Sequence, residues 1–239
     1  MSRDHIKRLA APRTWQINRK AFKFVTKPVP GPHSLSTSIP LSILLKDMLS
    51  YANTTKEVKK IINMNEIKID GVTRKDFRLT TGIFDTIEFV NINEFFRVIL
   101  NRNGKIELIK INKDEALIKP CKIIGKTMVN GKLQLNLSDG NNVLVDSDSY
   151  KVGDTLILSL PDKKITKHLK LDKKSVIFLI GGEHTGEIGT IEDIVENKII
   201  YKSQKGELVE TSKKYAFVVG ETKPIIRLAE HERYEEHQN

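Results

Sequence analysis

The 239 residues include 40 Lys and Arg against 30 Asp and Glu, which gives a formal net charge of +10. This length has room for about two domains or three small modules, and the positive excess favours polyanionic partners, nucleic acid first. A single cysteine, Cys121, excludes an intrachain disulfide and fits a reducing compartment. No apolar run approaches the ~18 residues that span a membrane, and no secretory signal follows the basic N-terminus. We therefore expect a soluble, intracellular protein.

Residues 1–38 form a basic segment with eight Lys or Arg and one Asp, and three prolines between 28 and 32 exclude a continuous helix there. Basic side chains neutralise phosphates, and the rings interleaved with them, Trp15, Phe22 and Phe24, can stack on unpaired bases. We predict an RNA-binding arm that is disordered when free; a disordered basic tail and a transit peptide are the alternatives. The candidate RNA-binding residues of the arm are Arg3, Lys7, Arg8, Arg13, Trp15, Arg19, Lys20, Lys23 and His33.

Residues 39–104 begin with apolar side chains at helical spacing from Leu41 to Leu49, which predict a helix that Asn53 can close. Thr54 and Glu57 have the spacing of a capping box, so a second helix is expected to begin there. Because it carries a row of basic residues, this second helix is a candidate RNA-binding element. Its candidate residues are Lys56, Lys59 and Lys60.

An alternating strand follows at Ile67–Ile69, and Asp70 with Gly71 predicts a tight hairpin turn. Helix, capped basic helix, strand, Asp-Gly turn and a further strand resemble the S4 RNA-binding domain. That resemblance implies that the second helix and the hairpin face RNA, with Lys56, Lys59, Lys60 and Arg74 converging on one face. A small α+β unit with a solvated lysine face is the alternative. The basic residues after the turn are Arg74, Lys75 and Arg78.

Residues 105–170 contain short alternating segments separated by turns at Asn130-Gly131 and Asp139-Gly140. This spacing predicts a small β-barrel that presents surface and separates its neighbours. The aspartates of this region lack the spacing of a calcium-binding loop, so we interpret them as turn and cap residues.

Residues 171–225 contain a predicted strand, a turn with Gly182, Gly186 and Gly189, and a returning strand. The glycines are expected to permit positive φ, and His184 at the turn tip is a candidate phosphate contact. The pattern resembles a KOW motif, which implies an SH3-like barrel. An ordinary glycine-rich hairpin is one alternative; a nucleotide-binding phosphate loop is disfavoured because no Walker lysine follows. Residues 226–239 are predicted to be a flexible tail, whose polar, mixed-charge composition does not favour an RNA contact.

Several short motifs occur in one order: Arg8 to Trp15, Pro30 to His33, Ser38 to Leu41, and Glu57 to Ile61. Together they resemble the ribosomal protein S4e family of archaea and eukaryotes. The resemblance implies an α+β fold with a basic N-terminal arm, a small S4-like domain, a central β domain and a C-terminal KOW barrel. It also implies a structural constituent of the small subunit of the cytoplasmic ribosome, here archaeal, that binds ribosomal RNA and neighbouring small-subunit proteins.

We expect no metal site, because the six histidines are scattered. We expect no catalytic residue, because no catalytic fingerprint occurs. We also expect no cofactor, no membrane partner and no small-molecule substrate. A transcription elongation or antitermination factor of the KOW type is the alternative function, and it predicts a protein-binding surface without need of the basic arm. An RNA-modifying enzyme is a third possibility, but it requires clustered acids in a cleft and a large catalytic domain.

Overall fold

The computed structural model describes residues 4–64, 66–146 and 148–228. These residues form two compact units, and strands outnumber helices in a mixed α+β fold. The first unit comprises the residues up to Ile99 together with Lys105–Leu117, and the second comprises Leu100–Gly104 and the residues from Ile118 onward.

The first hundred or so residues fold into short helices and antiparallel strands. The strands are β1 His5–Lys7, β2 Phe24–Thr26, β3 Ser38–Pro40, β4 Ile67–Ile69, β5 Val72–Thr73, β6 Thr80–Gly82, β7 Thr86–Phe89, β8 Glu94–Leu100 and β9 Ile106–Ile111. The helices are a 3₁₀ turn at Arg8–Ala10, α1 Leu41–Ile43, a π-helical turn Leu44–Met48, α2 Thr55–Asn63 and α3 Lys113–Ala116. β1 pairs with β2, β3 pairs with β6, and a five-stranded sheet has the order β5-β4-β7-β8-β9. The boundary predicted at residue 104 therefore falls between two neighbouring strands of one sheet.

The helix predicted from Leu41 to Leu49 has a different form in the structure. Of its apolar residues, Leu41, Leu44 and Leu45 are buried. After one α-helical turn, however, the Leu49 N–H donates to the Leu44 carbonyl at 3.0 Å, an i to i−5 bond that defines a π-helical turn. Ser50 then has a φ of 55°, which turns the chain out of the helix before Asn53.

The described part of the basic arm, residues 4–38, is ordered in this structure, in contrast to the predicted disorder. β1 and β2 form an antiparallel hairpin within it. Trp15 is only 2% exposed, and its Nε1–H donates to the Ser38 carbonyl at 2.6 Å. A buried indole whose N–H has found an acceptor is a strong anchor, because burial of the ring and satisfaction of its polar atom coincide.

The second half of the chain is built from antiparallel strands. They are β10 Ile118–Val129, β11 Lys132–Leu137, β12 Asn142–Val145, β13 Thr155–Ser159, β14 Lys164–Leu169, β15 Val176–Leu179, β16 Ile188–Val195, β17 Lys198–Ser203, β18 Leu208–Ser212 and β19 Ala216–Gly220. One five-stranded sheet has the order β12-β11-β10-β13-β14, and the other has the order β18-β17-β16-β15-β19. The turn predicted at Asn130-Gly131 is confirmed, because both residues have positive φ between β10 and β11.

One hydrophobic core in the second unit joins residues from both of these sheets. It spans the boundary predicted between residues 170 and 171, because Ile157 and Leu169 pack with side chains of β15 to β19. A smaller cluster lies around Cys121 and Leu135 within the first of the two sheets. The buried members of the joint core are Ile157, Leu169, Leu171, Ile177, Leu179, Ile191, Ile199, Tyr201, Ala216 and Val218.

A buried lysine lies within the second unit. The Nζ of Lys122 donates to the carbonyls of Lys213, Lys214 and Ala216 at 3.0, 3.1 and 2.6 Å. Burial, with a smaller contribution from the Lys213 ammonium, lowers the pKa of Lys122 to about 8. Three carbonyl acceptors satisfy all three N–H groups of the ammonium, so the charged form is tolerated at neutral pH.

Trp15 provides a test of whether the arm is ordered in the free protein, since it is the only tryptophan in the chain. We expect a blue-shifted fluorescence emission and weak quenching by acrylamide for the isolated protein at neutral pH. The Trp15→Ala variant should lose about 3–5 kcal/mol of unfolding free energy, the usual cost of removing a buried aromatic side chain. A red-shifted, freely quenched emission from the native protein would contradict the packed arm.

Lys122 makes the unfolding free energy depend on pH in a defined window. The folded pKa of about 8 lies below the ordinary value of 10.5, so the folded state binds fewer protons between these limits. Stability should therefore rise by up to about 3 kcal/mol from this residue as pH increases from 8 to 10.5. Urea denaturation of the Lys122→Met variant should show a smaller rise than the parent, whereas Lys205→Met, at an exposed site, should keep it. Equal slopes in the parent and Lys122→Met would refute this assignment.

Candidate nucleic-acid interface

The amino end of α2 is fixed by the predicted capping box. The Glu57 N–H donates to Thr54 Oγ1 at 3.2 Å, while Glu57 Oε2 accepts from the N–H groups of Asn53 and Thr54 at 2.8 and 3.3 Å. The hydrogen bond from the Asn53 N–H makes the largest contribution to lowering the pKa of Glu57, and the Thr54 hydroxyl makes the next largest. Glu57 therefore stays ionised. Val58 and Ile62 are buried and form the inner face of the helix.

The outer face of α2 carries the three predicted lysines, and all of them are exposed. Lys56, Lys59 and Lys60 line one shallow groove. The Nζ of Lys59 lies 4.8 Å from the centre of the Phe77 ring, and the guanidinium carbon of Arg78 lies 5.8 Å from the same ring. The ring thus brings a helix lysine and an arginine of the following segment to one place, through cation–π contacts.

The hairpin after α2 is confirmed at Asp70 and Gly71, with φ values of 51° and 75° between β4 and β5. These positive φ values are those of a type I′ turn. Arg74 and Lys75 are exposed after β5, and their convergence with the α2 lysines stays a prediction. Arg78 is only partly exposed, because it pairs with Asp76 and donates to Asp4 Oδ1 at 2.7 Å.

The exposed surface of the arm combines four of the predicted cations with two phenylalanine rings. Phe22 is 73% and Phe24 is 48% exposed. The Nζ of Lys23 lies 5.5 Å from the Phe24 ring, and the His5 ring contacts Phe24 edge-on at 5.4 Å. Large exposed rings next to cations are the surface that stacks on unpaired bases. The exposed predicted cations are Lys7, Arg13, Lys20 and Lys23.

Trp15 is a correction to the predicted site. Its ring is buried and its N–H is bonded to Ser38, so it offers no face to a base in this structure. Phe22 and Phe24, the other two rings that the sequence offered for stacking, are exposed, although the list of candidate residues included only Trp15. The available signal was their alternation with Lys20 and Lys23 in a segment without apolar periodicity.

Arg8 and Arg19 stabilise the arm by donating hydrogen bonds to its own backbone carbonyls. Arg8 donates to the Asn18 carbonyl at 2.8 Å and to Asp47 Oδ1 at 3.1 Å, and it is buried. Arg19 donates to the carbonyls of Arg8, Ala11 and Pro12 at 3.2, 2.9 and 2.7 Å. These guanidinium groups satisfy carbonyls of an irregular segment that has few backbone partners of its own. We therefore assign Arg8 and Arg19 to the structure of the arm rather than to its predicted RNA-binding surface.

His33 is a second correction. Its Nε2 lies 3.1 Å from Asp85 Oδ2, and the side chain of His33 is almost completely buried. The same carboxylate oxygen accepts the Gly82 N–H at 2.8 Å, and a Cβ at Gly82 would overlap the His33 ring. His33 therefore links the arm to the loop before β7 and is not presented to a ligand.

The glycine-rich turn between β15 and β16 contains two of the predicted positive φ values, 90° at Gly182 and 82° at Gly186. Gly189 is a correction, because it lies within β16 without positive φ. A side chain there would overlap the ring of Tyr201, so close packing is its reason for being glycine. His184 is partly exposed at the turn, with Nδ1 3.4 Å from Glu187 Oε2.

Comparison with known proteins agrees with these features. Residues 92–165 match the family described as Ribosomal family S4e, and residues 2–36 match the RS4NT domain. Small ribosomal subunit protein eS4 of Methanococcus aeolicus is 41% identical over an alignment of 241 positions. The alignment covers 95% of this chain and 98% of that protein. The chain belongs to the ribosomal protein S4e family.

Two further S4e relatives support the same assignment, and the resemblance identified from the sequence is confirmed. Small ribosomal subunit protein eS4 of Methanocella arvoryzae is 40% identical over 95% of this chain and 98% of its own length. The crystal structure of the 30S ribosomal protein S4e from Thermoplasma acidophilum is similar with a TM-score of 0.68 and 30% identity. The structural alignment covers 78% of this chain and 96% of the Thermoplasma acidophilum protein.

Arg3 and residues 229–239 of the predicted tail lie outside the described residues. The start of that tail is a correction, because Ile226 and Leu228 are buried. Within the described ranges, no three His, Cys, Asp or Glu side chains are grouped as metal ligands. None of the helices in the same ranges has the length and apolar character required to cross a membrane.

The capping box of α2 predicts the outcome of two conservative changes. Thr54→Ala removes the oxygen that accepts the Glu57 N–H and should lower the unfolding free energy by about 1 kcal/mol. Thr54→Ser keeps that oxygen and should stay close to the parent in the same urea denaturation series. An equal loss in both variants would show that the threonine methyl group, rather than the cap, is what matters.

Proposed function

We propose that this S4e chain is a structural constituent of the small subunit of the cytoplasmic ribosome that binds and stabilises ribosomal RNA. Its partners are ribosomal RNA and neighbouring small-subunit proteins, and its role is structural rather than enzymatic. The observation that carries the proposal is the exposed lysine row of α2, held by a formed capping box beside Phe77. The names of relatives that match almost the whole chain support it.

The chemistry of this surface suits a phosphate backbone. Each lysine of α2 projects a strongly hydrated ammonium from a rigid helix, and neutralising a phosphate there releases a bound counterion. The exposed cations of the arm extend the same kind of surface within the first unit. Several modest contacts on one chain reinforce each other, because the first contact raises the effective concentration of the next.

The finer division of labour is also a proposal. We infer that residues 39–104 act as an S4-like RNA-binding domain, in which α2 and the hairpin at Gly71 face RNA. Residues 105–170 act as a central β domain that presents surface. Residues 171–225 act as a KOW module of the SH3-like type, and the pairing of β15 with β16 and β19 supports that inference. His184 is then a phosphate contact of the turn.

The alternative function, a transcription elongation or antitermination factor, has no support in these observations. The relatives that match nearly the whole chain carry ribosomal names. The alternative also leaves the arm without a purpose, although residues 4–38 are built with specific internal contacts.

Sedimentation of the small subunit at increasing salt tests the proposed function. The full chain should travel with the small subunit at about one copy and resist moderate salt. The triple variant Lys56→Gln, Lys59→Gln and Lys60→Gln should dissociate at lower salt, since each lost phosphate contact reduces the log–log salt slope by about 0.7 to 0.9.

The control carries the same change of charge at Lys132, Lys163 and Lys205, which are exposed positions in the second unit. It should dissociate at the same salt concentration as the parent. If both triple variants dissociate together, net charge rather than the α2 surface governs binding. If the parent chain never sediments with the small subunit, the proposed function is wrong.

A further inference from the structure

A cleft of about 670 Å³ lies in the first unit between the arm hairpin and the segment that runs from α1 to α2. His5, Phe22 and Phe24 line its arm side, and Ser42, Asn53 and Phe77 are on the opposite side. Its volume lies within the range of roughly 300–1,000 Å³ that is typical of small-molecule sites. The cleft is therefore large enough for a single nucleotide and too small for a duplex.

Aromatic rings line the cleft from both sides. Phe22 and Phe24 are largely exposed phenylalanines on the arm, although such rings are usually buried. Phe77 lines the same cleft from the other side, in contact with the cations of Lys59 and Arg78. Rings that reach into a half-open cleft provide stacking surfaces for a flat partner.

Two buried polar atoms in the cleft lining have unused hydrogen-bonding capacity. Ser42 Oγ and Arg8 Nε are buried, and neither has a hydrogen-bond partner among the described residues. Both residues line the cleft. Leaving such atoms unpaired is costly, so a ligand with donors and acceptors on its edge would gain from meeting them. The edge of a nucleobase carries both kinds of group.

The charge of the cleft distinguishes a base from a phosphate. The carboxylates of Asp4 and Asp47 line it together with Arg8 and Lys46, so its fixed charges are nearly balanced. Because the carboxylates offset the cations, a phosphate in the cleft would gain little net attraction, whereas a neutral ring does not need it. The exposed lysines outside it, Lys23 on the arm and Lys56 on α2, suit the flanking phosphates.

We propose that this cleft binds one unpaired nucleobase of ribosomal RNA, stacked against Phe22 and Phe24 with its edge toward Ser42 and Arg8. The inference rests on the proposed RNA-binding function and adds to it a specific site for a single-stranded residue. It makes the arm a reader of unpaired RNA as well as a carrier of charge.

The test uses the full chain and a seven-nucleotide single-stranded RNA with 2-aminopurine at its centre, at low salt. Stacking should quench the fluorescence of the central base on binding. The same RNA with an abasic central position should bind roughly five- to 150-fold more weakly, the range expected for loss of one stacked base. Because the phosphates are unchanged, this comparison isolates the base from the charge.

The double variant Phe22→Leu, Phe24→Leu should lose most of the preference for the base-containing RNA, because it keeps apolar bulk and removes two of the stacking rings. Lys20→Gln, a change on the arm outside the cleft lining, should weaken both RNAs alike and preserve their ratio. Ser42→Ala removes an unpaired hydroxyl, so it should leave the unfolding free energy unchanged or raised and reduce the preference for the base-containing RNA.

The outcomes separate this site from the general function. Binding of both RNAs without quenching and with equal affinity overturns the base site and leaves the proposed function standing. Quenching that persists undiminished in the double variant also overturns it. Absence of any RNA binding by the parent chain at low salt overturns the proposed function and the base site together. A second measurement uses 5-bromouridine at the central position of the RNA. It should crosslink within residues 22–26 or at Phe77. A crosslink confined to other residues refutes the site.

Discussion

The buried indole of Trp15 is the constraint on which the rest of the first unit depends. Its N–H donates to the carbonyl of Ser38, the residue with which β3 begins, so the arm is tied to the folded part of the unit. The contacts of Arg8 with Asp47 and of Asp4 with Arg78 add to that anchor and fix the arm hairpin next to the rest of the unit. The exposed positions of Phe22 and Phe24 on the arm therefore depend in part on an interaction that is itself buried.

The basic residues of the chain divide into those that build the protein and those that face solvent. The buried Arg8 and Lys122 and the partly buried Arg19 donate to backbone carbonyls, and a charge is tolerated there because its donors are satisfied. The lysines of α2 remain hydrated on a helix surface. Net charge measures both groups together, so it overstates the cations available to a polyanion.

Features determined by neighbouring residues could be predicted from the sequence. The capping box of Thr54 and the turn at Gly71 depend on a few adjacent side chains and on local φ values, and both formed as expected. The burial of Trp15 and His33 and the packing of Gly189 depend on partners distant in the chain, Ser38, Asp85 and Tyr201. A single sequence reveals residue types but not such pairings, so these residues were misassigned.

For the proposed binding of RNA, an ordered arm changes the energetics of recognition. A segment that folds only on binding pays roughly 1–2 kcal/mol of backbone entropy for each residue that it orders. In this structure residues 4–38 are already ordered by Trp15, the β1–β2 hairpin and the carbonyl contacts of Arg19, so this entropy loss does not oppose binding. More of the interaction energy then appears as affinity, and the positions of the exposed rings are set before RNA arrives. Preorganisation of this kind favours recognition of a particular RNA shape over general attraction to phosphate, since rings fixed in place can reject a base that does not fit between them.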